Sequence, residues 1–94
     1  MRWVFPEKGW EQFELSVPDL PNTCVAILPT SDYSHKLVGS EIVKAAHMKP
    51  LRKNAFSSGR YAAHLAQNEL GVEPSEILSA GRQPIWPAGQ VGAI

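Results

Sequence analysis

The rhythm of apolar and polar positions changes along the chain, and each rhythm predicts a different element. Trp3, Val4, Phe5 and Trp10 open an aromatic stretch with no clean period, after which Phe13-Glu-Leu-Ser-Val17 alternates as a half-buried strand does. Pro18 and Pro21 bracket a turn. Thr23-Cys-Val-Ala-Ile-Leu28 is a short run rich in β-formers and reads as a buried strand stopped by Pro29. Thr30 to Gly39 reads as loop. Ser40 is placed to cap a short helix, with Glu41 favourable against its dipole and Ile42, Val43, Ala46 and Met48 as its inward face. Pro50 suits the first turn of a long helix over 51–70, whose apolar face is centred on Leu51, Ala55, Gly59, Ala62 and Ala66 and widened by Phe56, Ala63 and Leu70. Gly71 ends it. Ile77-Leu78 can start a strand, Gly81 to Gly89 reads as loop, and Gly89-Gln-Val-Gly-Ala-Ile94 reads as a turn running into an apolar strand.

Charge sharpens this picture. The net charge is zero, yet residues 42–68 hold five bases and no acid, while residues 1–41 hold six acids against three bases. Acids further away than about 8 Å do not cancel such a cluster in physiological salt. On the wheel of the long helix, Lys53, Arg60 and His64 share the side opposite the apolar face, with Lys49 close by and Arg52 nearer the border. An anionic partner fits that side, because Arg offers a planar fork for two oxygens and Lys a mobile point charge. Gly59 beside Arg60 strengthens the reading: glycine in a helix interior costs about 1 kcal/mol against alanine, so another backbone or a ligand comes close there.

Other chemistry is poorly represented. His64 stands one turn beyond Arg60, where it could join an anion site or act as a base, but no second histidine or carboxylate shares that stretch. His35, His47 and His64 lack ligand-type spacing, and Glu7, Glu11 and Glu14 are spaced as on a solvated face, so no metal site is expected. No serine sits in a Gly-x-Ser-x-Gly elbow. Cys24, the one cysteine, cannot form an internal disulfide; it fits a reducing compartment such as the cytoplasm and reads as a small buried hydrophobe. The N-terminus is broken by charges and Pro6 before any signal-peptide core, and no run approaches the length of a membrane span.

Arg52-Lys53 with Phe56-Ser-Ser-Gly-Arg60-Tyr-Ala-Ala, the helix end Leu70-Gly71, and Gly81-Arg-Gln-Pro-Ile-Trp-Pro-Ala-Gly followed by Val91-Gly92-Ala93-Ile94 resemble the N-terminal half of 4′-phosphopantetheinyl transferases of the enterobactin-synthetase component D type. The resemblance covers residues 38–94 by motif and the rest by position. It implies transfer of the phosphopantetheine arm of coenzyme A to a carrier-protein serine with magnesium, by two similar α+β halves around one site. The matching phosphate-binding positions are Arg60, Arg82, Arg52 and Lys53. Where the family has Gly-Ser-Ile-Ser/Thr-His, this chain has Gly92-Ala93-Ile94, and the family's magnesium-binding acids and its Trp-x-x-Lys-Glu segment have no counterpart. No catalytic or metal-ligating residue is therefore assigned.

These readings combine into one expectation. Residues 1–94 form an α+β domain, a small mostly antiparallel sheet packed against one long helix, corresponding to the coenzyme A-binding half of the two-half fold. As a truncated half it would bind coenzyme A without turnover. It would also expose several hundred Å² of apolar surface, inviting self-association or a missing C-terminal half. Acyl or peptidyl carrier proteins and siderophore biosynthesis are the implied setting. The alternative is a free-standing basic module docking an acidic protein or nucleic acid, against which the Arg82-Gln-Pro-Ile-Trp-Pro run and the neutral net charge both weigh.

Overall fold

The computed structural model describes residues 1–16 and 19–94. Strands β1 (Arg2–Val4) and β2 (Cys24–Ala26) pair in parallel, with Trp3 opposite Val25. Helices α1 (Ser40–Ala46) and α2 (Pro50–Glu69) follow, and strands β3 (Leu78–Ala80) and β4 (Gln83–Ile85) close an antiparallel hairpin in which Ser79 faces Pro84. The architecture is thus a small α+β arrangement of two helices and two separate two-stranded sheets, where one mostly antiparallel sheet was expected.

Helix α2 forms where the pattern places it. Pro50 occupies the first turn after Lys49, which is extended at ψ 157°, so the missing N–H of proline is one that a helix start leaves free anyway. Its far end is a Schellman turn: Gly71 takes φ +78°, its N–H reaches Asn68 O at 3.0 Å, and Val72 N–H reaches Gln67 O at 2.9 Å.

The face that α2 buries overlaps the expected one only at its edge. Phe56 and Ala63 are buried as expected, Arg60, His64 and Gln67 join them in the buried stripe, and Leu51, expected at the centre of the inward face, is 86% exposed. Alpha1 differs in the same way: Glu41 and Ala45 are buried with Met48 partly so, while Ile42, Val43 and Ala46 are exposed. Both differences have one cause. The helices meet through Glu41 and His64, and a carboxylate seated on an imidazole rotates each helix so that its polar groups face inward. The apolar core around that contact is small, made of Leu37, Ala45 and Phe56 with Met48 against them. Ile77 is also fully covered.

Elsewhere the sequence pattern and the structure part more widely. Over its described residues 13–16 the alternating run forms no strand: Glu11–Phe13 form a tight 3₁₀ turn, with Phe13 N–H on Trp10 O at 3.0 Å and the two rings 5.2 Å apart, and residues 14–16 have no regular structure. Val17 and Pro18, which end that expected strand and begin the expected turn, lie outside the described residues. Arg2–Val4, which has no clean period, is paired instead. Ser40 does not cap α1; Gly39 holds the cap position at φ +60°, and the Ser40 N–H is taken by Glu76 Oε2 at 2.7 Å. The stretch from Gly81, expected as loop, opens with the hairpin turn, and residues 91–94 form no strand.

Candidate functional site: a buried charge cluster beneath a basic hairpin

Each residue of Phe56-Ser-Ser-Gly-Arg60 has a separate task, set by its direction around α2. Ser57 Oγ accepts the Tyr33 N–H at 3.0 Å, and Ser58 Oγ accepts the Ser31 N–H at 2.9 Å while donating to Ser31 O at 2.8 Å. Two helix hydroxyls thereby satisfy the backbone of the 31–33 loop. Gly59 leaves room for Ile94, whose Cγ2 would stand 2.5 Å from an added Cβ. The close approach inferred from this glycine is therefore real, and what approaches is a side chain.

Arg60 is expected on an open polar face but is 4% exposed. Its guanidinium carbon lies 4.7 Å from the Phe56 ring centre, and its Nη2–H donates to Ser79 Oγ at 2.8 Å. Its Nε–H is buried with no partner, the one such side-chain atom among the described residues. Unpaired buried donors are costly and need an explanation. Burial pushes the guanidinium pKa down, Glu41 opposes that shift and Arg52 adds to it. Arg52 is thus electrostatically beside Arg60.

His64 is also buried, and it has the carboxylate that its own stretch lacks. Its Nε2–H donates to Glu41 Oε1 at 2.8 Å, with Oε2 at 3.0 Å, and its Nδ1 lies 2.8 Å from Gln67 Oε1. Gln67 turns its amide nitrogen to Gln90 Oε1 at 2.8 Å, so its oxygen faces His64 Nδ1. With an oxygen against each ring nitrogen, the arrangement favours the imidazolium form of His64. Burial pushes its pKa down, but Glu41 and Gln67 together hold it above the ordinary value. Glu41 mirrors this: burial pushes its carboxyl up, yet His64 and the N–H groups of Ile77 (2.8 Å) and Val38 (2.9 Å) hold it below the usual range.

The remaining sequence-predicted positions divide. Arg82 is exposed in the β3–β4 turn beside Gly81 at φ +64°, and Lys44 Nζ ties that turn to α1 through Gly81 O at 3.1 Å. Arg60 grips the same hairpin through Ser79. Lys53 is partly buried in a different neighbourhood, where its charge acts on Asp32 in the loop before α1. Arg60 is tied to the hairpin through Ser79, Arg52 acts on it through its charge, and Arg82 stands in the exposed turn of the same hairpin.

A cavity of about 740 Å³ lies on the other side of α2, lined by Cys24–Ala26, the small residues Gly59, Ala62 and Ala66, and the segment from Gly89 to Ile94. None of the four predicted cations lines it. Cys24, expected as a buried hydrophobe, is only half-buried on its wall, and burial followed by the Glu69 charge pushes its thiol pKa up, away from the reactive thiolate.

Magnesium does not fit the residues described. Glu41, the buried carboxylate, has its oxygens engaged by N–H donors, and no group of three His, Cys, Asp or Glu among the described residues is placed to hold a metal. No helix among them is long and apolar enough to cross a membrane.

Comparison with known proteins agrees with the motif-bearing part. Residues 39–94 match the 4′-phosphopantetheinyl transferase N-terminal domain. That match spans more than half of the chain, which therefore belongs to this family. A 44-residue stretch is 41% identical to 4′-phosphopantetheinyl transferase PptT of Mycobacterium tuberculosis, covering 46% of this chain and 19% of that relative. The chain thus spans about a fifth of the curated relative it matches. No solved structure matches it significantly. Glu41, Ser57, Ser58 and Ser79 were missed as site-building residues. For Glu41 a signal existed: Glu41, Ala45 and Met48 recur at i, i+4 and i+7, the spacing of an inward helix face.

Proposed function

We propose that residues 1–94 are the coenzyme A-binding N-terminal part of a 4′-phosphopantetheinyl transferase, which moves the phosphopantetheine arm of coenzyme A to a serine of an acyl or peptidyl carrier protein. One observation carries the reading: Arg60, steadied by Phe56 and by Ser79 of the hairpin whose turn bears Arg82, is buried with an Nε–H that has no partner. A phosphate oxygen is an acceptor that such a donor lacks, and it reaches Nε once the groups covering that atom move aside. Lys53, turned toward Asp32, serves the same anion from further away or not at all. The described residues offer no group of three metal ligands, so the proposal for this chain is binding of coenzyme A, and transfer is assigned to none of its residues.

The Arg82-Gln-Pro-Ile-Trp-Pro run supports the enterobactin-synthetase component D type, hence a cytoplasmic enzyme of siderophore assembly. The free-standing basic module is not favoured, because residues 39–94 match a transferase domain and the chain has no net positive charge. Calorimetry with coenzyme A tests the reading: weak binding that disappears in Arg60→Ala is expected, and heat unchanged by that substitution would refute it. Incubation with apo-carrier protein, coenzyme A and magnesium should leave the carrier mass unchanged.

A further inference from the structure

Glu41 has no part in the phosphate reading, yet it is 1% exposed and joins three elements. From α1 it accepts the Val38 N–H ahead of its own helix, the Ile77 N–H at the entry to β3, and the His64 Nε2–H of α2. Ile77 is two residues before Ser79, the residue that holds Arg60 Nη2. The carboxylate also faces two buried cations, His64 and Arg60, of which only His64 is bonded to it. A carboxylate bonded to Arg60 would satisfy the guanidinium and occupy its donors. Glu41 instead supplies countercharge without taking the Nε–H.

We propose that Glu41 is a positioning residue for Arg60: by fixing Ile77 it sets where Ser79 meets Nη2, and by spending its oxygens on His64, Ile77 and Val38 it holds the guanidinium buried with its Nε–H unpaired. The inference rests on the coenzyme A reading for the identity of the anion, but not for the arrangement of Arg60. The charged groups facing the cluster are Glu41 and Lys44 from α1, Arg52, Arg60 and His64 from α2, and Glu76 before β3, whose own carboxyl feels Glu41 and is engaged by Ser40. Of these, Glu41 alone bonds both Ile77, just before β3, and His64 of α2.

The test compares the unaltered chain, Glu41→Gln and Glu41→Asp by nuclear magnetic resonance and by coenzyme A titration. In the unaltered chain both His64 ring nitrogens should be protonated at pH 6, below the ordinary 6.5 from which its pKa is raised, and the Arg60 Nε–H should give a distinct, slowly exchanging signal that moves when coenzyme A is added. In Glu41→Gln one imidazole proton is lost, the Arg60 signal shifts toward that of a free side chain, and affinity falls about tenfold, the worth of one charge-assisted hydrogen bond. Glu41→Asp keeps the charge and should retain the doubly protonated imidazole with intermediate affinity. It decides the matter if the glutamine variant fails to fold. An Arg60 signal indifferent to position 41, or equal affinity in all three chains, overturns the proposal. If coenzyme A does not bind the unaltered chain, the phosphate reading fails, and the Arg60 signal still decides whether Glu41 positions it.

Discussion

The two sides of α2 are held by different physics. On one, α1, β3 and the 31–33 loop are fastened to the helix by named hydrogen bonds and a buried ion pair. On the other, β1 and β2 are three residues each, none of their residues is fully buried, and a cavity of about 740 Å³ separates β2 from the segment after Gly89. Parallel strands are usually covered on both faces, and two strands alone are marginal. The comparison teaches that specificity in this domain sits in polar contacts of long sequence separation, while its apolar side is loosely filled. A fold of this kind should break abruptly on the first side and yield gradually on the second.

The largest effect is expected at the ion pair. Glu41→Ala leaves the His64 charge buried without a partner and should cost about 3–5 kcal/mol, enough to unfold a small domain, as read by urea titration. The same pair sets a pH signature. The raised pKa of His64 gives a contribution complete below its ordinary 6.5 and lost as pH rises through the folded-state value. The lowered pKa of Glu41 gives one present above its ordinary 4.5 and lost as pH falls through the folded-state value. Urea midpoints should therefore be highest between 4.5 and 6.5 and fall on both sides, and a Glu41→Gln, His64→Gln double variant should flatten the profile.

Intermediate effects belong to the serine clamps. Ser57→Ala strands the buried Tyr33 N–H and should cost about 1–3 kcal/mol, with the amide exchange of Tyr33 accelerating. The smallest effect, on the loosely filled side, has the opposite sign. Gly59→Ala gains about 1 kcal/mol of helix propensity and displaces only the half-exposed Ile94, so a slight rise in the urea midpoint with shifted Ile94 methyl signals is expected. A large loss there would mean that the cavity side is as tightly specified as the other.

Legibility in the sequence follows the same division. Helix α2 was readable from Pro50 to Gly71 because its start and stop are local backbone chemistry, and β2 and β3 were near their expected places. The buried face of α2 was readable only at its edge, because alanines mark an apolar stripe by composition whereas the true inward stripe is chosen by a glutamate 23 residues before His64. Phe13 shows the opposite error: alternation over five residues mimicked a strand where an aromatic pair stabilises a tight turn. Arg60 was read as a surface cation and is buried, because helical angle alone cannot reveal that Ser79 bonds to it. The expected sheet failed because pairing partners are set by tertiary contact, and Arg2–Val4 carries no pattern to announce one.

The hydroxyls of Ser57 and Ser58 carry a consequence for how this protein can vary. They bind main-chain atoms of residues 31 and 33, so most of that loop's path is written into the helix, with Asp32 Oδ1 adding the loop's own bond to the Ser34 N–H at 2.9 Å. The side chain of Ser31 is free to drift in identity, and with it the surface offered to a partner, while the backbone keeps its course. A rigid script on one element licenses improvisation on its neighbour.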